Sequence, residues 1–221
     1  DIMEAGFPAS SQGDFESVQR IARQAKSIQV AGLCRCMDSD IDRCWEAVKD
    51  AKNPRIHTFL STSPLHMKYK LRKDPEVVLQ MIEAGVRRCA GYTDNVEFSA
   101  EDASRSERDF LCRVVETAIK AGATTINLPD TVGYTTPDEM RKLIEDVMAG
   151  VENYGCSRVV QIVRAYALAQ RTEQSVQMSF ELGRQPFDGN GYPFSESCLL
   201  GCEFLRIQPV AFVQDDDEPL F

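Results

Sequence analysis

Apolar residues in this chain follow two alternating rhythms. Runs of strand length occupy residues 1–7, 27–33, 55–61, 95–98 and 124–128, and a sixth candidate spans 158–163. Between them lie helix-length segments with apolar residues three and four apart, the spacing that lines one helical face. The stripes are Phe15, Val18, Ile21 and Ala22; Ile41, Trp45, Ala47 and Val48; Val77, Val78, Met81, Ile82 and Val86; Phe110, Leu111, Val114, Val115 and Ile119; and Met140, Leu143, Ile144 and Val147. Turn chemistry agrees with this division. Asp38 and Ser39 precede the second helix, and Ser106 with Arg108 and Asp109 opens the fourth. Thr136-Pro137-Asp138-Glu139 combines a capping hydroxyl, a proline at the first turn and acids near the positive end of the helix dipole. Gly122 ends the preceding helix.

Strands that alternate with helices pair in parallel through crossovers. Five or six such units fit either a (β/α)8 barrel or a doubly wound sheet. No Gly-x-Gly-x-x-Gly follows any strand, which weakens the dinucleotide-binding reading. Polar residues gather where strands end: Glu4, Arg35, His57, Ser99 with Glu101, and Asp130 with Thr131. In a barrel those ends form the active face. The expected architecture is therefore α/β: a partial TIM barrel of about five to six βα units over residues 1–183. Beyond it, Pro186, Pro193, Pro209 and Pro219 and the Asp215–Glu218 acid run remove helical periodicity, so 184–221 reads as an irregular or disordered tail.

Composition narrows the partners. The 221 residues carry a net charge of −9, which argues against a nucleic acid or an anionic membrane. No run of about 18 apolar residues is present, so no membrane span is expected. The eight cysteines are irregularly spaced. Cys34-x-Cys36 and Cys198-x-x-x-Cys202 could seed a metal site, but small buried thiols of a reducing compartment are the simpler reading. The chain opens at Asp1 without an initiator Met or a visible targeting peptide, which suggests a fragment or a processed product.

The candidate chemistry centres on residues 95–107. Alternate strand residues share a face, so Glu97, Ser99 and Glu101 can point into one site. Carboxylates converging at a buried strand end are costly without a role. Each residue also has a plainer reading. His57 alone is more often a satisfied core histidine, Glu101 a cap acid, and Asp130-Thr131 a turn pair. His66 reads as a loop residue. The basic run Lys68, Lys70, Arg72 and Lys73 reads as a solvated loop, or alternatively as a contact for phosphates.

Four segments in order carry a resemblance: Asp1-Ile-Met-Glu-Ala-Gly-Phe-Pro-Ala-Ser10; Arg55-Ile-His-Thr-Phe-Leu-Ser-Thr-Ser63 with His66-Met-Lys-Tyr-Lys70; Val96-Glu-Phe-Ser-Ala-Glu-Asp-Ala103; and Ala123-Thr-Thr-Ile-Asn-Leu-Pro-Asp-Thr-Val-Gly-Tyr-Thr-Thr-Pro137. Over roughly residues 1–150 the chain closely resembles the 2-isopropylmalate synthases, whose wider family includes the homocitrate, citramalate and methylthioalkylmalate synthases. The resemblance implies a TIM-barrel acyltransferase of leucine biosynthesis, one that condenses acetyl-CoA with 2-oxoisovalerate. It also implies a divalent metal, Mg2+ or Mn2+, that polarises the ketone. By the same resemblance His57 and Glu101 are the catalytic residues. Ser99 and Thr131 line the 2-oxo acid pocket, and Glu97 and Glu4 stand near its mouth. Homo-oligomerisation, or pairing with a full-length synthase, is expected, in the cytoplasm or in the plastid for a plant or alga.

The departures are specific. The family's opening Arg-Asp-Gly-x-Gln strand is absent, and no His-x-His-Asn-Asp follows residue 151, so no metal ligand is assigned. An incomplete synthase, altered after about Val151 by splicing or a frame change, is therefore expected. Two further readings stay open: a catalytically inactive fragment or pseudoenzyme, and a synthase with a different 2-oxo acid.

Overall fold

In the computed structural model, which describes residues 2–153, 160–161 and 179–182, the apolar runs become strands of one sheet. They are β1 (Ile2–Glu4), β2 (Gln29–Arg35), β3 (Pro54–Ser61), β4 (Val96–Glu101), β5 (Thr125–Asn127), β6 (Val160–Gln161) and β7 (Ser179–Leu182). Their order is β1-β2-β3-β4-β5-β7-β6. The first five pair in parallel, each with the next. Between them run α1 (Gln12–Gln24), α2 (Asp38–Val48), α3 (Pro64–His66), α4 (Pro75–Ala90) and α5 (Arg108–Ala121), and α6 (Pro137–Asn153) follows β5. The α3 turn continues into one π-helical turn, Met67–Leu71, and a 3-10 turn, Ala103–Arg105, precedes α5. The five parallel strands with these helices form a half-barrel, as the alternating rhythm implies.

The two faces of this sheet differ in chemistry. Toward the helices, Ile56, Val96, Phe98, Ala100 and Ile126 are buried and share one core with Ile82, Val86, Leu111 and Val115. Full burial of a side chain the size of Phe98 contributes about 1.5–3 kcal/mol. The alternate residues of the same strands are Arg55, His57, Phe59 and Ser61, Glu97 and Ser99, and Thr125 and Asn127. Apart from the half-buried Phe59, they are buried as well, yet polar. Such a face is stable only if its groups satisfy one another, and this requirement shapes the site.

Several boundaries depart from the sequence reading. β1 is only three residues long, because Gly6 turns the chain at φ +137°. β4 extends through Glu101, so Ser99 and Glu101 belong to the strand itself rather than lying beyond its end. The run at 158–163 is no sixth parallel unit: β6 pairs antiparallel with β7, and β7 lies antiparallel on β5. The sequence reading contained no β7. Asp38 and Ser39 sit inside α2 rather than before it, with Met37 at the cap, and Asp38 and Asp40 occupy the first turn, where the dipole favours them. The cap residue of α5 is Glu107, while Ser106 instead bonds Thr62 Oγ1 and the Asp102 carbonyl. Thr136 and Glu139 form the expected reciprocal cap of α6, with Thr136 N donating to Glu139 Oε2 at 2.8 Å and Glu139 N to Thr136 Oγ1 at 3.4 Å. Gly122, at φ +120°, ends α5 as expected.

Cys34, Cys36, Cys44, Cys89 and Cys112 are free and buried, in keeping with a packing role. Cys156, Cys198, Cys202 and the proposed tail at 184–221 lie outside the described residues. No described helix is long and apolar enough to cross a membrane.

Candidate functional site

Register places the polar face in rows. His57 of β3 stands opposite Glu97 of β4, Phe59 opposite Ser99, and Ser61 opposite Glu101. The lower row is organised around His57, whose side chain is only 2% exposed. Its Nδ1 bonds Glu4 Oε2 from β1, and its Nε2 lies 2.6 Å from Ser99 Oγ and 3.7 Å from Glu97 Oε1. With an acceptor at each nitrogen, the ring is suited to carry both protons. Burial alone would lower its pKa, but the charges of Glu97 and Glu4 outweigh burial and raise it to about 9. His57 is therefore an imidazolium at neutral pH.

The neighbours balance this charge. Arg55 Nη1 donates to Glu97 Oε2 at 3.0 Å and Arg55 Nε to Asn95 Oδ1 at 2.8 Å. The Arg55 and Glu97 side chains are 4% and 8% exposed, so each requires the other. From β5, Asn127 Nδ2 donates to Ser99 Oγ at 2.9 Å. Ser99 thus receives bonds on its oxygen from both His57 and Asn127, and its own hydroxyl proton stays available. Asn127 Oδ1 is buried and has no hydrogen-bond partner among the described residues.

Glu101 lies one row further along the same two strands. Ser61 Oγ donates to its Oε2, and Lys70 Nζ stands 2.7 Å from both carboxylate oxygens. Asp102 follows in a left-handed conformation, φ +67°, with its side chain fully buried. Arg105 Nε holds its Oδ1 at 2.7 Å, and His66 Nδ1 lies 3.4 Å from its Oδ2. Thr131 is exposed, and its Oγ1 accepts from the Asp102 amide at 2.9 Å. Asp130 behaves as the turn residue of the plainer reading, accepting from Ser104 Oγ and the Thr135 amide.

Of the residues singled out in the sequence, Glu4, His57, Glu97 and Ser99 meet in one network. Glu101 stands in the adjoining row, and Thr131 reaches that row only through the Asp102 backbone. His66 lies in the short helical turn α3 rather than in a loop. Sequence reasoning missed Arg55, Asn127, Ser61 and Asp102. Arg55 and Ser61 keep His57's alternation along β3, a signal that could have found them.

The described residues do not fit a divalent metal. No group of three or more His, Cys, Asp or Glu among them could hold one. The nearby carboxylates are also committed: Glu4 to His57, Glu97 to Arg55, Glu101 to Lys70 and Asp102 to Arg105.

Fold and site together define a class: a parallel βα half-barrel that carries a charge-balanced polar network on one face of its sheet. Residues 1–181 match the HMGL-like family, and the chain belongs to it. A protein named 2-isopropylmalate synthase from Nitratidesulfovibrio vulgaris is 68% identical over 153 residues, covering 69% of this chain and 30% of that protein. Proteins of the same name from Rhodopseudomonas palustris and Syntrophus aciditrophicus are 57% and 56% identical over 153 residues, 69% of this chain and 29% and 30% of theirs. The chain thus spans about a third of the length of these relatives. A crystal structure of hydroxymethylglutaryl-CoA lyase from Pseudomonas aeruginosa shares the fold with a TM-score of 0.53 at 17% identity, over 68% of this chain and 52% of that one.

Proposed function

We propose that this chain carries part of the active site of a 2-isopropylmalate synthase, which joins the acetyl group of acetyl-CoA to 2-oxoisovalerate. The observation that carries the reading is the pair of adjoining rows on β3 and β4. One is a buried imidazolium row suited to a 2-oxo acid, and the other is a carboxylate row at the strand ends. The high identity to proteins of that name supports the same conclusion.

Each residue has a definable part. Glu101, held by Ser61 and Lys70, is the base that takes a proton from the acetyl methyl group. The resulting carbanion forms the new bond to C2 of the 2-oxo acid, and the electron pair of that carbonyl moves to its oxygen. Ser99 gives its proton to this alkoxide and receives one from His57 Nε2, 2.6 Å away. Water then cleaves the thioester and releases coenzyme A. Thr131, whose oxygen accepts from the Asp102 amide, keeps its hydroxyl proton to donate to the substrate carboxylate. Glu4 and Glu97 keep the imidazole charged until it is used.

The test is product formation. The chain is incubated with acetyl-CoA, 2-oxoisovalerate and Mg2+, and 2-isopropylmalate is measured by mass spectrometry. Pyruvate in a parallel arm distinguishes a citramalate synthase. Formation that is abolished in Glu101→Gln is the expected result. Absence of product, or product unchanged by that substitution, overturns the assignment.

A further inference from the structure

The chain leaves β4 through an uncommon bend. Asp102 is a non-glycine residue at φ +67°, and its side chain is fully buried. A residue with a β-carbon persists in the left-handed region only where its surroundings hold it there. Here the backbone is held on both sides. The Asp102 carbonyl accepts from the Arg105 amide at 3.2 Å and from Ser106 Oγ at 3.0 Å, and the Asp102 amide donates to Thr131 Oγ1 at 2.9 Å. The position of Thr131 therefore depends on this bend.

The Asp102 carboxylate is held unequally. Arg105 Nε donates to Oδ1 at 2.7 Å. Oδ2 is buried and has no hydrogen-bond partner among the described residues. Facing it at 3.4 Å, within ion-pair reach, is His66 Nδ1, which is buried and has no hydrogen-bond partner among them either. A carboxylate offers only acceptors, so the contact is attractive only with an imidazole proton on Nδ1. A buried carboxylate oxygen without other partners depends on such a contact. His66 is itself well placed for it, because its amide is capped by Ser63 Oγ at 3.3 Å at the start of α3. Four residues on, within the π-helical turn, Lys70 Nζ stands 2.7 Å from both oxygens of Glu101. One helical turn thus reaches two successive residues at the end of β4, Lys70 to Glu101 and His66 to Asp102.

We infer that His66 is a positioning residue of this site: its Nδ1–H, set against Asp102 Oδ2, fixes the bend through which Thr131 is presented to the carboxylate of a 2-oxo acid. His66 acts through Asp102 and not on substrate. The identity of the substrate rests on the synthase reading, whereas the coupling of His66 to the bend does not. Glu101 has separate holds in Ser61 and Lys70, so the loss of His66 falls on the grip of Thr131 more than on the base.

Two substitutions separate this role from simple packing. His66→Leu keeps an apolar side chain in place and removes the donor. His66→Asn sets an amide N–H where Nδ1 stands. The first measurement is amide hydrogen exchange of the whole chain, resolved by residue with NMR. In His66→Leu the Asp102 amide should exchange roughly tenfold faster, while the Phe98 and Ile126 amides of the core strands keep their rates. His66→Asn should restore most of the protection. The second measurement is condensation of acetyl-CoA with 2-oxoisovalerate. KM for the 2-oxo acid should rise roughly tenfold in His66→Leu, with kcat changed much less, and recover in His66→Asn. Unchanged exchange at Asp102, acceleration shared equally by Phe98 and Ile126, an unchanged KM, or no recovery in His66→Asn overturns the inference. Faster exchange confined to the bend, in a chain whose wild type forms no product, would leave the positioning by His66 standing and remove the synthase assignment instead.

Discussion

The charge on His57 gives the site its most distinctive pH behaviour. The ring is fully buried, yet Glu97 and Glu4 raise its pKa from 6.5 to about 9. A group whose pKa is raised on folding holds its proton in the native state after the unfolded chain has lost it. The associated stability is complete below pH 6.5 and is lost as pH rises toward 9. At about 1.4 kcal/mol for each pH unit of that interval, the loss is about 3 kcal/mol. That is a large part of a typical domain's stability. Glu4→Gln removes the partner at Nδ1 and retains a neutral hydrogen-bonding group of similar shape. Glu97 remains paired with Arg55, so no buried cation is stranded.

Two measurements check the argument. The chain contains only two histidines, His57 and His66, so a 15N-edited ring spectrum holds two titrations that are separable by substitution of His66. The His57 midpoint should lie near 9 and fall clearly in Glu4→Gln. Urea denaturation at pH 6.5 and at pH 9 should show the wild type losing about 3 kcal/mol and the variant losing less. Thiols also titrate in this range, and burial pushes Cys36 up to about 12. Glu4 does not act on Cys36, so that contribution cancels in the difference; it does act on Cys44, which is therefore replaced by Ala in both proteins before the comparison. A wild-type His57 midpoint at or below 6.5, or parallel stability profiles for the two proteins, would refute the reasoning.

Other consequences can be checked separately. Arg55→Met removes the cation hydrogen-bonded to the buried Glu97 and leaves it only the more distant His57 at 3.7 Å, and urea denaturation should show a loss of about 3 kcal/mol at neutral pH. Gly85→Ala tests two opposed effects inside α4: alanine gains about 1 kcal/mol in helix propensity, but its Cβ would stand 2.1 Å from Cys36 Sγ. Overpacking of that kind costs about 1–3 kcal/mol, so the variant should melt lower, and adding Cys36→Gly should recover much of the loss. Cys34, Cys36, Cys44, Cys89 and Cys112 should resist brief iodoacetamide treatment of the native protein, as read by peptide mass spectrometry. Rapid alkylation of any of the five would contradict their burial.

The sequence was legible where one periodicity served one purpose. Apolar stripes three and four apart marked the helices, because a helix on a half-barrel buries one face and leaves the other to solvent. The parallel strands were harder, since both of their faces are buried. β4 illustrates the limit: Val96, Phe98 and Ala100 advertise a core strand, while Glu97, Ser99 and Glu101 look like the onset of a loop. Reading the strand as ending at Phe98 followed from treating polarity as exposure. The network shows why that rule fails. Each buried charge is answered from a neighbouring strand, and β3 and β4, which hold Arg55, His57, Glu97 and Ser99, are separated in the chain by α3, the π-helical turn and α4. No local window contains such a pairing.

The same reasoning explains which site residues could be found. Glu97, Ser99 and Glu101 were visible because alternation within one strand is a local signal. Arg55 shared His57's alternation along β3, but its role and that of Asn127 lie in what β4 places opposite them: Glu97 for one and Ser99 for the other. His57 bridges the two cases. Its position in the motif marked it, but only the meeting of Glu4 from β1, Ser99 and Glu97 explains why an imidazole should stay charged with so little solvent. A histidine buried among apolar residues would lose its proton. Here the fold fixes the proton by surrounding it with acceptors, and the site's capacity for proton transfer follows from that arrangement rather than from the histidine alone.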